Sequence, residues 1–198
     1  MPEAAAANRT QASSLLDELR AIRERADLLI ARVPDDLVFG WQPANGRGWS
    51  VGQCLDHLSQ GNRLYIAGIR DALANAPREA DAITAPIRST WPGRKFIAMM
   101  EPGSRKMKAP KKIHPRSADN RAQVWGEFTR GLDEMEAIIR DADHVDLNGP
   151  TLPSPLFKLS RMRVGTAFRI LFAHMRRHIR QAERVLETRL IEAPKGER

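Results

Sequence analysis

Leu171-Phe172-Ala173-His174-Met175-Arg176-Arg177-His178-Ile179-Arg180-Gln181-Ala182-Glu183 is the stretch whose reading decides the fold. Apolar residues recur through it at helical spacing, from Phe168 through Leu171, Met175, Ile179 and Ala182 to Val185 and Leu186. Two histidines, His174 and His178, stand four apart inside that run. Residues at this separation share one helix face, with Cβ atoms about 5–6 Å apart, close enough for both imidazoles to reach one ion. His174 follows Leu171 by three positions and His178 follows Met175 by three, so both rings project from the apolar stripe, away from Arg176, Arg180 and Glu183. Inward-facing imidazoles require partners. Those partners are either the hydrogen bonds of a satisfied core histidine or a metal ion, for which a third ligand must be found.

Three more one-sided stripes precede this one. From about Thr10 to Val33, Leu15, Leu19, Ile22, Ala26 and Leu29 predict a first amphipathic helix whose opposite face carries Glu18, Arg25 and Arg32, and Pro34 ends it. Turn residues fill the connection to Gly48, with Trp41 and Trp49 at its two ends. Ser50 then opens a second helix, where Gln53 completes a capping box and Cys54, Leu58, Tyr65 and Ile69 form the buried stripe. His57 lies on that same side and is the candidate third ligand, whereas Asp56, Gln60 and Arg63 read as solvated surface. Between Asn75 and Pro115 six proline sites break helical periodicity. Ser117 is the expected N-cap of a third helix built on Val124, Phe128, Leu132, Met135 and Ile139 and ending near Asp141. A second irregular connection, 143–160, leads to the fourth helix, expected from Gly165 or Thr166 to Arg189.

No segment reads as a strand. The fold class is therefore all-α, a four-helix bundle with long irregular connections between helices 2 and 3 and between helices 3 and 4. The bundle spans 10–192, with residues 1–9 and 193–198 as disordered ends and 78–116 as a basic, proline-rich insertion.

At 198 residues the chain can bury a core without staples, and its single cysteine, Cys54, excludes an internal disulfide. The N-terminal residues lack a leader pattern and no apolar run is long enough to span a bilayer, so a cytoplasmic protein with no membrane association is expected. The net charge of +8 is local: residues 88–116 hold nine of the 32 basic side chains and one of the 24 acids, leaving 23 of each elsewhere. Prolines and the lack of a sustained apolar period make this segment a surface excursion that carries charge without building the core, pinned locally by Trp91, Phe96 and Ile97.

Two motifs then stand at opposite ends of the pattern. Trp49-Ser50 leading to His57-Leu58 resembles the W-S-x(6)-H-L opening of the second helix in the DinB/YfiT-like superfamily, and His174 to Gln181 resembles that superfamily's H-x-x-R-H-x-x-Q on the last helix. The resemblance covers nearly the whole chain apart from its first ten residues and the basic segment. It implies a four-helix bundle, frequently a homodimer, with a divalent metal such as zinc or nickel held by His57, His174 and His178. It also implies, in members of known activity, thiol-dependent transfer or isomerisation with bacillithiol or mycothiol; many members have no established reaction.

Three neutral histidines leave coordination positions open, as catalytic zinc sites do. The pattern is not H-E-x-x-H, because Met175 stands where a metalloprotease carries its general base. Glu183 faces away, and Asp56 is rotated by about 100° from His57 on an ideal helix. No carboxylate is therefore placed for hydrolysis, which favours a metal-activated thiolate from a low-molecular-weight thiol acting on a small-molecule substrate. Gln181 is a candidate to orient an imidazole and Arg177 to receive an anionic group, while Trp49 and Tyr65 could line a substrate pocket or simply pack the bundle. Cys54 reads as a small buried hydrophobe. Three other readings remain: a non-catalytic bundle stabilised by its metal, a metal-dependent hydrolase, and a polyanion binder using the 88–116 segment. Nucleic acid is the least favoured partner, because the chain carries no nucleic-acid-binding motif and charge runs are usually solvated. Whether the chain is an enzyme stays open at this point.

Overall fold

The computed structural model describes residues 9–43, 48–104, 108–116, 118–156 and 159–192. The two expected disordered ends fall outside these residues except for Arg9, and so does Ser117.

Four long helices form where the stripes place them: α1 (Gln11–Ala31), then, after the five-residue α2 (Asp36–Gly40), α3 (Val51–Ala74), and, after α4 (Trp91–Met100), α5 (Arg121–Asp141) and α6 (Val164–Glu192). Thr10 caps α1 by accepting from the Ser13 N–H, and Leu15, Leu19, Ile22, Ala26 and Leu29 are all buried. The capping box of α3 is present in both directions, Ser50 accepting from the Gln53 N–H and Gln53 from the Ser50 N–H. For α5 the expectation is corrected: Asn120 is the N-cap, its side chain accepting from the Gln123 N–H at 3.0 Å, so the helix starts later than Ser117 would have started it.

Helix α3 packs against both α5 and α6, and α1 packs against the same two. The consecutive long helices α1 and α3 thus occupy opposite corners of the bundle, an arrangement different from simple up-and-down neighbours. The large side chains Phe128, Phe168, Phe172, Leu19 and Leu132 fill its centre. Gln11 fastens the N-terminal end of α1 to two connections at once. Its side-chain amide donates to the Ala85 carbonyl and to Asp146, both at 2.9 Å, and its side-chain oxygen accepts from the Leu147 N–H at 2.8 Å.

Three local expectations are overturned. A two-stranded antiparallel hairpin, β1 (Thr151–Pro153) with β2 (Arg161–Arg163), pairs Leu152 with Met162 inside the second irregular connection. Three-residue strands are too short to show an alternation in sequence. The basic segment is not a mere surface excursion either. Helix α4, capped by Thr90 and tolerating Pro92 in its first turn, lies along α6, and Ile87, Met100 and Ile113 are buried in or against the core. Phe96 and Ile97 do pack on the core, but Trp91 stays exposed. Lastly, α2 arises within the turn-rich 34–48 connection because Asp35 caps it and Phe39 is drawn fully into the core. Among the described residues, no helix is long and apolar enough to cross a membrane.

Candidate metal centre

His57 projects from α3 and His174 and His178 project from adjacent turns of α6. One nitrogen of each lies within 4.8 Å of the others, a set able to hold a metal ion. The three rings stand at mutual centroid distances of 4.5 to 4.8 Å and nearly edge to face. Gly61, one turn after His57, permits this approach: a Cβ there would come within 3.4 Å of the His174 ring. A glycine inside a long helix is a readable sign of such close packing.

The outer nitrogens fix the tautomers. His57 Nδ1–H donates to the Ile113 carbonyl at 2.5 Å, and Gln181 Oε1, an acceptor, lies 3.1 Å from His178 Nδ1. With Nδ1 carrying the proton, each ring turns an Nε2 lone pair free of hydrogen. His57 Nε2 and His174 Nε2 approach to 2.9 Å. With the His57 Nε2 lone pair facing it, His174 Nε2 either donates its own proton across that gap or shares a cation there. Metal–nitrogen bonds of about 2.0–2.1 Å place two ligand nitrogens about 2.9 Å apart at a right angle and about 3.3–3.4 Å apart at the tetrahedral angle, so a small opening of this contact fits the donor set to a divalent ion.

Electrostatics keep the rings neutral. Burial drives His174 well below the ordinary value of 6.5, helped by His178 and His57, and pushes His178 down to about 3. Burial also lowers His57, against the opposing pull of the Ile113 carbonyl and Asp56. Neutral imidazole is the form that ligates metal, so protons do not compete at neutral pH.

Trp49 walls one side of the cluster, stacked on His178 at a centroid distance of 5.5 Å and tilted over His57 at 4.7 Å. A cavity of about 1300 Å³ opens beside it. Tyr65 also lines this cavity and is buried, its phenol oxygen without a hydrogen-bond partner among the described residues. Burial raises that phenol to about 12. Arg177 reaches the cavity wall, but its guanidinium donates to the Met99 carbonyl at 2.9 Å and to Ser104 Oγ, closing the C-terminal end of α4. Cys54 lies fully in the core, where burial pushes its thiol up, and it is not part of the nitrogen cluster.

Asp56 overturns an expectation. Rather than facing solvent it is 2% exposed, accepting from the Arg116 N–H at 2.8 Å, from the Arg116 guanidinium and from Gln60. Its partner lies 60 residues away in a proline-rich connection, and no local pattern announces such a pairing. Gln60 belongs to the same group, also reaching the His114 carbonyl, and Arg63 meets Glu127 at 3.0 Å. The basic segment therefore roofs the site: Ile113 orients one histidine and Arg116 locks the residue before it.

A helical bundle with a buried cluster of three histidines, able to hold a metal ion, is the class that fold and site define. The chain matches the DinB superfamily over residues 18–182, and it belongs to that family. No curated protein and no solved structure matches it.

Proposed function

We propose that His57, His174 and His178 hold one divalent ion, zinc or nickel, and that the chain is a metal-dependent thiol S-transferase. The observation that carries this reading is the absence of a carboxylate: among the described residues, no Asp or Glu lines the cavity beside the triad. The nearest acid in sequence, Asp56, is committed to Arg116 and Gln60. Activation of water by a general base therefore has no group to carry it, which argues against a hydrolase. The ion would supply positive charge that favours the deprotonated form of a thiol.

The chain's own residues then have simple tasks. Ile113 and Gln181 aim the imidazoles, Trp49 screens the cluster from water, and the cavity receives the electrophile. A new sulfur–carbon bond forms while the electrophile's leaving group departs with the bonding electrons, and the thiol proton passes to solvent. Whole-chain protein purified without a metal-affinity tag is analysed for metal and then offered thiols with a chloro-aromatic electrophile. Conjugation that needs both metal and thiol is expected. Thiol-independent hydrolysis of an ester or amide that depends on His174 replaces the transferase with a hydrolase. If chelation only lowers the melting temperature and no thiol is consumed, the ion is structural. The family resemblance also supports a homodimer, which light scattering reads directly.

A further inference from the structure

The cavity beside the triad is polarised, and α6 measures it. Ile170 and Leu171 line it one turn before His174, together with Leu64, Tyr65, Phe96 and Leu156 from the elements around. Beyond His178 the α6 lining carries two cations on successive turns, Arg180 and Arg184, among Gln181, Val185 and Thr188, and Lys108 from the connection after α4 lines the same cavity. With a helical rise of about 1.5 Å per residue, Ile170 and Arg184 stand about 21 Å apart, with the triad between them.

The charges at the basic end are not equivalent. Arg180 pairs with Glu183 at 3.2 Å and Arg177 is engaged by the carbonyls at the end of α4. Arg184 and Lys108 form no ion pair with any described residue, and the described lining offers them no acid. Unpaired cations at the edge of a largely apolar cavity favour an anionic group, and the apolar end favours hydrocarbon.

We infer that this groove binds an elongated amphiphilic anion, its carboxylate against Arg184 and Lys108 and its apolar body running past the triad toward Tyr65 and Phe96. The inference names a substrate class for the proposed site and rests on that reading only in placing the reactive part of the molecule at the histidines. Both ends are required by the geometry, so neither a short anion nor a neutral chain should suffice.

Calorimetric titration of the full-length protein with dodecanoate, dodecan-1-ol and acetate tests it. Dodecanoate should bind saturably at one site, more tightly than either of the others by at least about tenfold. The double variant Arg184→Gln, Lys108→Gln should lose about tenfold of that affinity, and Phe96→Ser should weaken dodecanoate without affecting acetate. His178→Ala should still bind it. Equal affinity for the alcohol, no binding by the wild type, or full affinity in the double variant overturns the inference. Loss of binding in His178→Ala but not in the double variant also overturns it, by placing the carboxylate at the triad. Metal content measured on the same samples reports separately on the metal reading, so protein without metal that still binds dodecanoate refutes that reading and leaves this one standing.

Discussion

His57 Nδ1–H donates to the carbonyl of Ile113, joining α3 to a connection 56 positions further along the chain. A ring held this way has its Nε2 turned toward the other histidines without any help from an ion. Ile113→Ala should slacken that acceptor and lower metal affinity roughly tenfold, and Gln181→Leu should lower it about 10- to 100-fold, with all three ligands intact. Competition against a chromophoric chelator measures both; unchanged affinity in the two variants would show that the bonds do not position the rings.

Removing a ligand has a larger effect than slackening one. His178→Ala leaves two imidazoles and should lose stoichiometric divalent metal, as should His57→Ala. Elemental analysis of dialysed protein decides this, and full metal content in either variant would falsify the assignment.

The buried rings also set a pH dependence. All three have folded-state values depressed below 6.5, so the unfolded chain takes up their protons first as pH falls. Their contribution is intact above about 6.5 and is lost progressively toward the folded-state values, near 3 for His178. Metal-free protein should lose about 1.4 kcal/mol per pH unit for each ring protonated only on unfolding. Urea midpoints between pH 7 and 4 should fall less steeply in His178→Ala; identical slopes would contradict the burial argument.

Asp56 is buried, while the Arg116 side chain that pairs with it is 57% exposed. Burial disfavours the Asp56 carboxylate, but the bonds from Arg116 and Gln60 outweigh that and hold it below the usual range. Its contribution is therefore present above about pH 3.9 and constant near neutrality. Because the arginine is solvent-screened, Arg116→Ala should cost only about 1–2 kcal/mol. Proteolysis of the 101–116 connection should accelerate in that variant, and protection equal to wild type would show that Arg116 does not fasten it.

Backbone crowding supplies the most severe test. A Cβ on Gly52 would lie 2.1 Å from the Ala118 carbonyl oxygen and 2.6 Å from Phe39. Since neither backbone nor a fully buried ring can yield cheaply, Gly52→Ala should destabilise by about 3 kcal/mol or more. A melting temperature within a degree or two of wild type would mean that the first turn of α3 sits differently.

What was legible in the sequence follows one rule: features repeated over several helical turns showed, and features made by a single distant contact did not. The stripes on Leu15–Leu29 and Val124–Ile139 located their helices within a few residues, and the inward facing of His57, His174 and His178 located the cluster. Asp56 was misread because a helix wheel reports rotation but not what lies across from it; Arg116 comes from a connection with no period at all. Helix α4 was hidden for a related reason, since the nine residues between Pro92 and Pro102 allow only about two and a half turns of pattern. Ser117 and Asn120 are both good caps three positions apart, and propensity alone does not choose between them.

The fastening at Gln11 bears on the timescale over which the molecule holds together. Its three side-chain bonds join positions 74 to 136 residues apart, so they cannot form until both long connections have docked. Bonds that form only after the rate-limiting step act on the exit barrier alone. Gln11→Ala should therefore refold at the wild-type rate yet unfold about tenfold faster or more, so that this one amide governs the lifetime of the native state more than its rate of formation.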